Sequence, residues 1–449
     1  MKTTRGRALR LAYVRLLAGD PVRAVIVGYA SYVLIGWALL CLPWSVMAPG
    51  GASWLDHAFT AVSAVSTTGL ATVSTGGVYS GFGQGVVLLL IQLGGLGYMT
   101  ISSCVLLAVS GRLPVWRERV GAACLSLPPS FQVGPFLRLA VGYTLVMEAV
   151  GAWLLHGAFV RAGVESAWWQ AIFHSVSAFC TAGFSLFSNG IEGFRDDVGV
   201  NLILIALSYL GAIGFIVIHD VWTSLRHLRA RVTLTTRVIL TSTTLISIGG
   251  TILVACDEPS VASLSLGSRW MAAWFQVMSA STTVGFNTVP IADFSSANLF
   301  LLTVIMIIGA SPAGTGGGLK TTTITALWAV GAAVIRGRSR VSFLGREIPV
   351  ARIRMAVAAT LFYALTLAAG IYALSLAQPS TVLADLVFEV ISALGTVGLS
   401  RGITGDLSET AKVIVTVLMF MGRAGPLVLG TALFRGTDDP PAPEEDVVV

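Results

Sequence analysis

FTAVSAVSTTGL, running from Phe59 to Leu70, decides the fold, because the chain carries this pattern four times. FHSVSAFCTAGF (Phe173 to Phe184), FQVMSASTTVGF (Phe275 to Phe286) and FEVISALGTVGL (Phe388 to Leu399) align with it without a gap. Each opens on Phe and carries Ser-Ala at its fifth and sixth places: Ser63-Ala64, Ser177-Ala178, Ser279-Ala280 and Ser392-Ala393. Each closes on Thr-x-Gly followed by Leu or Phe. The closing glycines Gly69, Gly183, Gly285 and Gly398 lie 114, 102 and 113 residues apart. The period is therefore a whole module of chain rather than one turn of a solenoid.

The flanks of the four copies are alike. A long apolar run precedes each (about 24–47, 136–160, 236–256 and 353–377) and a second follows (about 82–109, 198–224, 296–335 and 410–434). Of 449 residues 55% are hydrophobic and 11% charged, too few charges to cover a soluble surface, which carries about 25%. Runs such as Ala24 to Leu42, Val86 to Val109 and Asn201 to Ile218 reach the ~20 residues that a membrane-spanning helix needs. The expected fold is an all-α polytopic membrane protein: four tandem helix–pore-loop–helix modules, hence eight transmembrane helices, around one central pore. The boundaries are a basic N-terminus 1–23, modules at 24–111, 112–225, 226–335 and 336–436, and an acidic tail 437–449.

The net charge of +6 does not indicate nucleic acid. Lys and Arg gather in the N-terminal segment (Lys2 to Arg23) and in connections Arg112 to Arg138, Arg226 to Arg237 and Arg336 to Arg354, whereas acidic residues hold the alternate loops (Asp56, Glu192, Asp196, Asp197, Asp257, Glu258, Asp293, Asp406, Glu409). The positive-inside rule then puts both termini in the cytoplasm of a plasma-membrane protein embedded in lipid. The first apolar run exceeds the h-region of a signal peptide, so it reads as a span. Five cysteines (Cys41, Cys104, Cys124, Cys180, Cys256) show no metal-ligand or disulfide spacing.

Irregular backbone at membrane depth survives only where protein buries it or where it lines a watery cavity. Four loops in one chain must therefore surround something polar. Glycine allows carbonyl oxygens to turn toward a shared axis, and rings of carbonyls replace the hydration shell of a cation in the Thr-Val-Gly-Tyr-Gly filters of potassium channels. Two copies here read Thr-Val-Gly. The short helices point their partially negative C-terminal ends at the ion, which suits a cation. The filter set is Thr67, Thr68, Gly69, Thr181, Ala182, Gly183, Thr283, Val284, Gly285, Thr396, Val397 and Gly398, with potassium the expected ion. No ring of Asp or Glu follows the glycines.

The second run of the third module is interrupted. Leu299 to Ile308 and Ile324 to Ile335 are half-spans, and GASPAGTGGGLKTTT (Gly309 to Thr323) between them holds Pro312 and five glycines, a poor helix at pore depth. Leu319 before Lys320 breaks the G-x-x-x-x-G-K-[ST] phosphate-binding pattern, so no nucleotide is expected on this chain. The gate is read as Gly309, Gly314, Thr315, Gly316, Gly317, Gly318 and Lys320, with Arg423, a charge inside the last apolar helix, opposite. Glu148 reads as a packing residue, His174 as a local brace, His219-Asp220 as an interface anchor, and Glu389 as a residue that tunes the outer field.

The four Thr-x-Gly copies, with QLGGLGYMT (Gln92 to Thr100), GASPAGTGGGLKTTT and GRAGPL (Gly422 to Leu427), resemble the Trk/Ktr/HKT superfamily of potassium transporters over about 24–434. Eight expected spans make the chain look most like the Ktr-type membrane subunit. The resemblance implies that glycine at all four filter positions goes with potassium, whereas serine at the first is associated with sodium in some plant members. It places Arg423 below the filter as part of the ion barrier. It also implies a homodimer and a cytoplasmic RCK-type nucleotide-binding regulatory subunit. Sodium/potassium symport, or a less selective monovalent-cation channel of the same fold, is the alternative. An inverted-repeat transporter fits less well, because every loop enters from the acidic side. A membrane enzyme fits less well because the repeats offer no catalytic set.

Overall fold

A computed structural model describes residues 21–48, 50–97, 133–226 and 232–425. The basic residues Lys2 to Arg15, the far end of the run 82–109, most of the connection 112–138, Cys104, Cys124 and the tail from 426 lie outside the described residues.

The described chain is almost entirely helical. In order come α1 (Pro21–Leu40), α2 (Trp54–Ser66), α3 (Gly81–Leu96), α4 (Val133–Arg161), α5 (Ala167–Phe179), α6 (Val198–Ala212) and α7 (Phe215–Arg226). There follow α8 (Leu234–Asp257), α9 (Leu266–Thr282), α10 (Ser296–Ile308), α11 (Thr321–Ile335), α12 (Val350–Ala377), α13 (Leu383–Gly395) and α14 (Glu409–Ala424). An antiparallel hairpin, β1 (Ser342–Phe343) with β2 (Arg346–Glu347), joins α11 to α12.

Side-chain oxygens set many of the helix starts. Ser53, Ser80, Asp197, Thr233, Ser265, Ser295 and Ser408 each accept a backbone N–H of the first turn, which satisfies a donor the helix itself leaves free. At α2 the exchange is reciprocal, with Asp56 bonding back to the Ser53 N–H.

Among the described residues α4, α8 and α12 are long and apolar enough to cross a membrane unaided. Their outward faces are apolar, with Leu145, Trp153, Leu245, Ile252, Leu361 and Leu376 all exposed. That inverts the burial pattern of a soluble protein and suits hydrocarbon. The short helices α2, α5, α9 and α13 are interior: Phe59, Phe173, Phe275 and Phe388, the first residues of the four repeats, are at most 1% exposed.

The structure departs from the sequence reading at two runs. The run 24–47 ends as a helix at Leu40, with Pro43 opening a 3-10 turn. The run 198–224, read as one span, is two helices bent by 90° at Gly214 (φ +95°). The interloper is the Gly309–Thr323 segment, whose Ala313 carbonyl accepts the Phe215 N–H at 2.9 Å and whose Ser311 N–H bonds the Ala212 carbonyl at 3.3 Å.

Candidate functional site

Each short interior helix stops in the same way. The threonine of Thr-x-Gly takes a left-handed backbone (φ +53° at Thr67, +51° at Thr181, +60° at Thr283, +48° at Thr396). For a β-branched residue this is a true outlier, and such strain collects at functional positions. Hydrogen bonds hold it. The N–H of Thr68, Ala182, Val284 and Val397 reaches back to the carbonyl of Ser63, Ser177, Ser279 and Ser392 at 2.9, 2.7, 3.1 and 2.8 Å. The serine hydroxyls grip the outgoing strand: Ser63 accepts from the Gly69 N–H (3.1 Å) and donates to the Leu70 carbonyl (2.7 Å), Ser177 donates to Phe184, and Ser392 accepts from Gly398. In three copies the repeated serine is thus a brace, a role its place in the alignment did not reveal; the Ser279 hydroxyl has no partner among the described residues.

The four segments then meet in a ring. The space where a side chain would leave Gly69 is filled by the Ala182 carbonyl oxygen, 2.5 Å from an ideal Cβ. Gly183 faces the Val284 carbonyl in the same way, Gly285 the Val397 carbonyl, and Gly398 the Thr68 carbonyl. The circuit runs first copy to second, third, fourth and back to first, so the four copies share one axis. All four glycines have positive φ (+91°, +68°, +83°, +90°). A side chain is excluded twice, by backbone conformation and by its neighbour.

The four threonines are fully buried. The hydroxyls of Thr67 and Thr396 have no hydrogen-bond partner among the described residues. Those of Thr181 and Thr283 are engaged by the segment between α10 and α11, through Thr315 Oγ1 (3.2 Å) and the Gly317 N–H (2.9 Å). That segment is packed hard beneath the ring. Thr315 donates to the Phe179 carbonyl at 3.0 Å, Gly316 lies against the Thr282 carbonyl, and Gly317 leaves no room for a methyl beside Thr396. Lys320 Nζ donates to the Gly316 and Gly317 carbonyls (2.7 and 3.4 Å) and staples the segment to itself. Gly309 and Gly318 face each other at its two ends.

Arg423 joins three parts of the chain. One guanidinium nitrogen donates to the Thr315 carbonyl and the other to Gly94 at the end of α3, with Gly95 at 3.4 Å. The sequence reading of Arg423 as opposite the broken helix therefore meets a specific geometry, a planar fork spanning two carbonyls.

Further contacts surround the ring. The second residue of the repeat ties down the segment beyond the glycine: His174 Nε2 bonds Ser185 at 2.9 Å, Gln276 lies against Thr288 and Val289, and the buried Glu389 carboxylate accepts from Ser400 (2.7 Å) and Thr404. In the first copy Asp56 does this, accepting from Thr72 at 2.8 Å while pairing with Lys412 of α14 at 2.7 Å. In the last three copies their signal was the polar residue one place after Phe; Asp56 stands three places before Phe59, outside the repeat. Glu148 lies behind the second copy and accepts the Cys180 thiol at 3.5 Å. Asp220 gathers Thr233 and Thr236 and fastens α7 to α8.

The chain belongs to the TrkH family of cation transport proteins, whose family model matches residues 47–435. It is 34% identical to the Ktr system potassium uptake protein B of Vibrio alginolyticus, over 93% of this chain and 92% of that protein. It is 31% identical to the potassium/sodium uptake protein NtpJ of Enterococcus hirae, over 96% and 97%. Its fold matches the crystal structure of the potassium transporter TrkH from Vibrio parahaemolyticus, with a TM-score of 0.73 and 22% identity over 92% of this chain and 85% of that one. The family is one of transporters, so transport rather than catalysis is the activity to explain.

Proposed function

We propose that this chain takes up potassium across the plasma membrane through the ring of four Thr-x-Gly segments. The observation that carries the reading is the closed circuit in which each glycine backs onto the carbonyl of the next copy. Carbonyls at Thr68, Ala182, Val284 and Val397, with the threonine hydroxyls below, would replace the water around an entering cation. The unpartnered hydroxyls of Thr67 and Thr396 fit that task, since a buried polar atom calls for a partner. The names of the Ktr relatives favour potassium, and that of NtpJ keeps sodium as a second cation.

The modules 24–111, 112–225, 226–335 and 336–436 would each give two spans around one re-entrant helix, with both termini cytoplasmic. The Gly309–Thr323 segment is the closed gate, held under the ring by Thr315, Gly316 and Gly317 and locked by Lys320 and Arg423. Opening requires it to leave the threonine layer. A homodimer and a cytoplasmic nucleotide-binding regulatory subunit complete the reading, resting on the resemblance to Ktr-type subunits.

Growth of a potassium-uptake-deficient bacterium on limiting potassium tests this, comparing the chain with Gly69→Ser and Gly285→Ser, with a regulatory partner supplied. Rescue by the parent chain and its loss in both variants is expected. No rescue by the parent, even with the partner supplied, would refute potassium uptake.

A further inference from the structure

A cavity of about 400 Å³ borders the proposed gate segment. Its size is in the ~300–1,000 Å³ range of small-molecule sites. One wall is the gate segment itself, through Pro312 and the stem of Lys320; the others are the first turns of α8 (Leu234, Val238), α11 and α12 (Met355, Ala359). Neither α3 nor α14 lines it, so it stands beside the pore axis, between helices whose outer faces are apolar.

Its chemistry is two-sided. Most of the lining is aliphatic, yet the charged side chains in it are both cationic, Lys320 and Arg352, and no acidic residue lines it. Arg352 sits in the first turn of α12, where the helix dipole disfavours a cation and where no acidic residue compensates. The start of α11 likewise carries no acid in its first turn, so two partially positive helix ends face one apolar chamber, whereas the Asp220 carboxylate meets the start of α8. The connection from α11 to α12 adds Arg336, Arg338 and Arg346 and the start of α12 adds Arg354, while Arg340 pairs with Glu347 at 3.6 Å. Beside the hairpin, Leu344, Val350 and Met355 are exposed apolar residues, the mixture of basic and apolar groups that settles at a lipid headgroup layer.

We propose that this cavity holds one anionic phospholipid, with an acyl chain among Leu234, Val238, Met355 and Ala359 and its phosphate on Arg352. Charge complementarity selects the occupant: a zwitterionic lipid would bring a cation to a wall already positive. That the lipid comes from the inner leaflet rests on the orientation proposed above; the binding itself does not. The site would place a membrane component in direct contact with the gate segment.

The test is lipid retention by the purified full-length chain, drawn from vesicles of equal phosphatidylglycerol and phosphatidylcholine and read by native mass spectrometry. Enrichment of phosphatidylglycerol by at least about tenfold is expected, the scale that basic groups at a membrane surface supply. Arg352→Gln should bring the two lipids near parity. Ala359→Phe should empty the cavity with both cations intact, and Arg340→Gln, on the exposed hairpin, should change nothing. Added inorganic phosphate should not displace the lipid; displacement would assign the site to a free anion and overturn the proposal. So would equal retention of the two lipids, or undiminished enrichment in Arg352→Gln. Transport is not measured, so failure here leaves the potassium reading to its own experiment.

Discussion

Replacing Gly69 by alanine puts one methyl group into the ring and isolates what the ring does. The added Cβ would stand 2.5 Å from the Ala182 carbonyl oxygen, whereas ordinary contact begins near 3.4 Å. The carbonyl must therefore retreat by about 0.9 Å, beyond the ~0.5 Å within which a binding constellation keeps its geometry. The left-handed backbone at φ +91° adds strain of about 1–2 kcal/mol for a residue with a Cβ. One carbonyl of the ring is then displaced from the ion, while its three counterparts keep their places. Loss of at least ~1.4 kcal/mol of preference is expected, about tenfold in potassium-over-sodium selectivity. The assay is rubidium flux into vesicles with sodium as competitor, alongside a melting curve to establish that the variant folds. Gly157→Ala is the control, because nothing lies within 4 Å of its added methyl and its backbone is helical. A folded Gly69→Ala protein with parental flux and selectivity would refute the ring as the selective element.

Four further outcomes follow from the same contacts. Removing Gly316 to Gly318 should raise flux severalfold, since this stretch occupies the threonine layer; unchanged rubidium uptake would count against a gate. Arg423→Lys should also leak, because one ammonium cannot span the Thr315 and Gly94 carbonyls, and each charged hydrogen bond lost is worth roughly 1.5–3 kcal/mol. Asp56→Ala should lower stability by ~3 kcal/mol by stranding Lys412, whose side chain is only 16% exposed, and Lys412→Met in the same protein should recover part of the loss, as a thermal melt would show. Ser392→Ala removes the acceptor for the Gly398 N–H and should cost about 1 kcal/mol with reduced selectivity, read in the vesicle assay.

The sequence announced the four interior helices, because a motif with Phe, Ser, Thr and Gly at fixed places survives in one string of letters. It also announced the break after Ile308, where five glycines and Pro312 leave no alternative. It did not announce the break at Gly214, which sits in an unremarkable apolar run, SYLGAIGFIVIH. That helix is opened by a partner far along the chain, the Ala313 carbonyl at Phe215, and nothing local encodes such a contact. The left-handed threonines were hidden for the same kind of reason. Propensity argues against αL at a β-branched residue, and only the reach of the next N–H back to Ser63, Ser177, Ser279 or Ser392 overrides it.

A second fourfold pattern bears on why only one of the four repeats would carry the proposed gate. α3, α10 and α14 end at Gly97, Gly309 and Gly425, and the bent pair α6–α7 turns at Gly214, each with positive φ (+80°, +63°, +86° and +95°). In three modules a glycine three residues earlier lets the helix touch the interior helix end: Gly94 meets the Val65 carbonyl, Gly211 that of Phe179, and Gly422 that of Leu394. In the third module Met306 stands at that place, where the equivalent carbonyl is that of Ser281, and the helix end is met instead by Gly316 of the loop, which lies against the neighbouring Thr282 carbonyl. The first, second and fourth modules thus hold their helix ends with rigid helix–helix packing. In the third the same duty falls on a segment held by hydrogen bonds from Thr315, Gly317, Lys320 and Arg423. Such a contact can be exchanged for others without unpacking a helix, so a transition that moves one wall of the pore and leaves three in place should begin there. Substituting Met306 by glycine would test the logic. If α10 can then close on the Ser281 carbonyl, the loop loses its purchase and resting flux rises; a flux no higher than the parent's would mean that the loop's position does not depend on that missing helix contact.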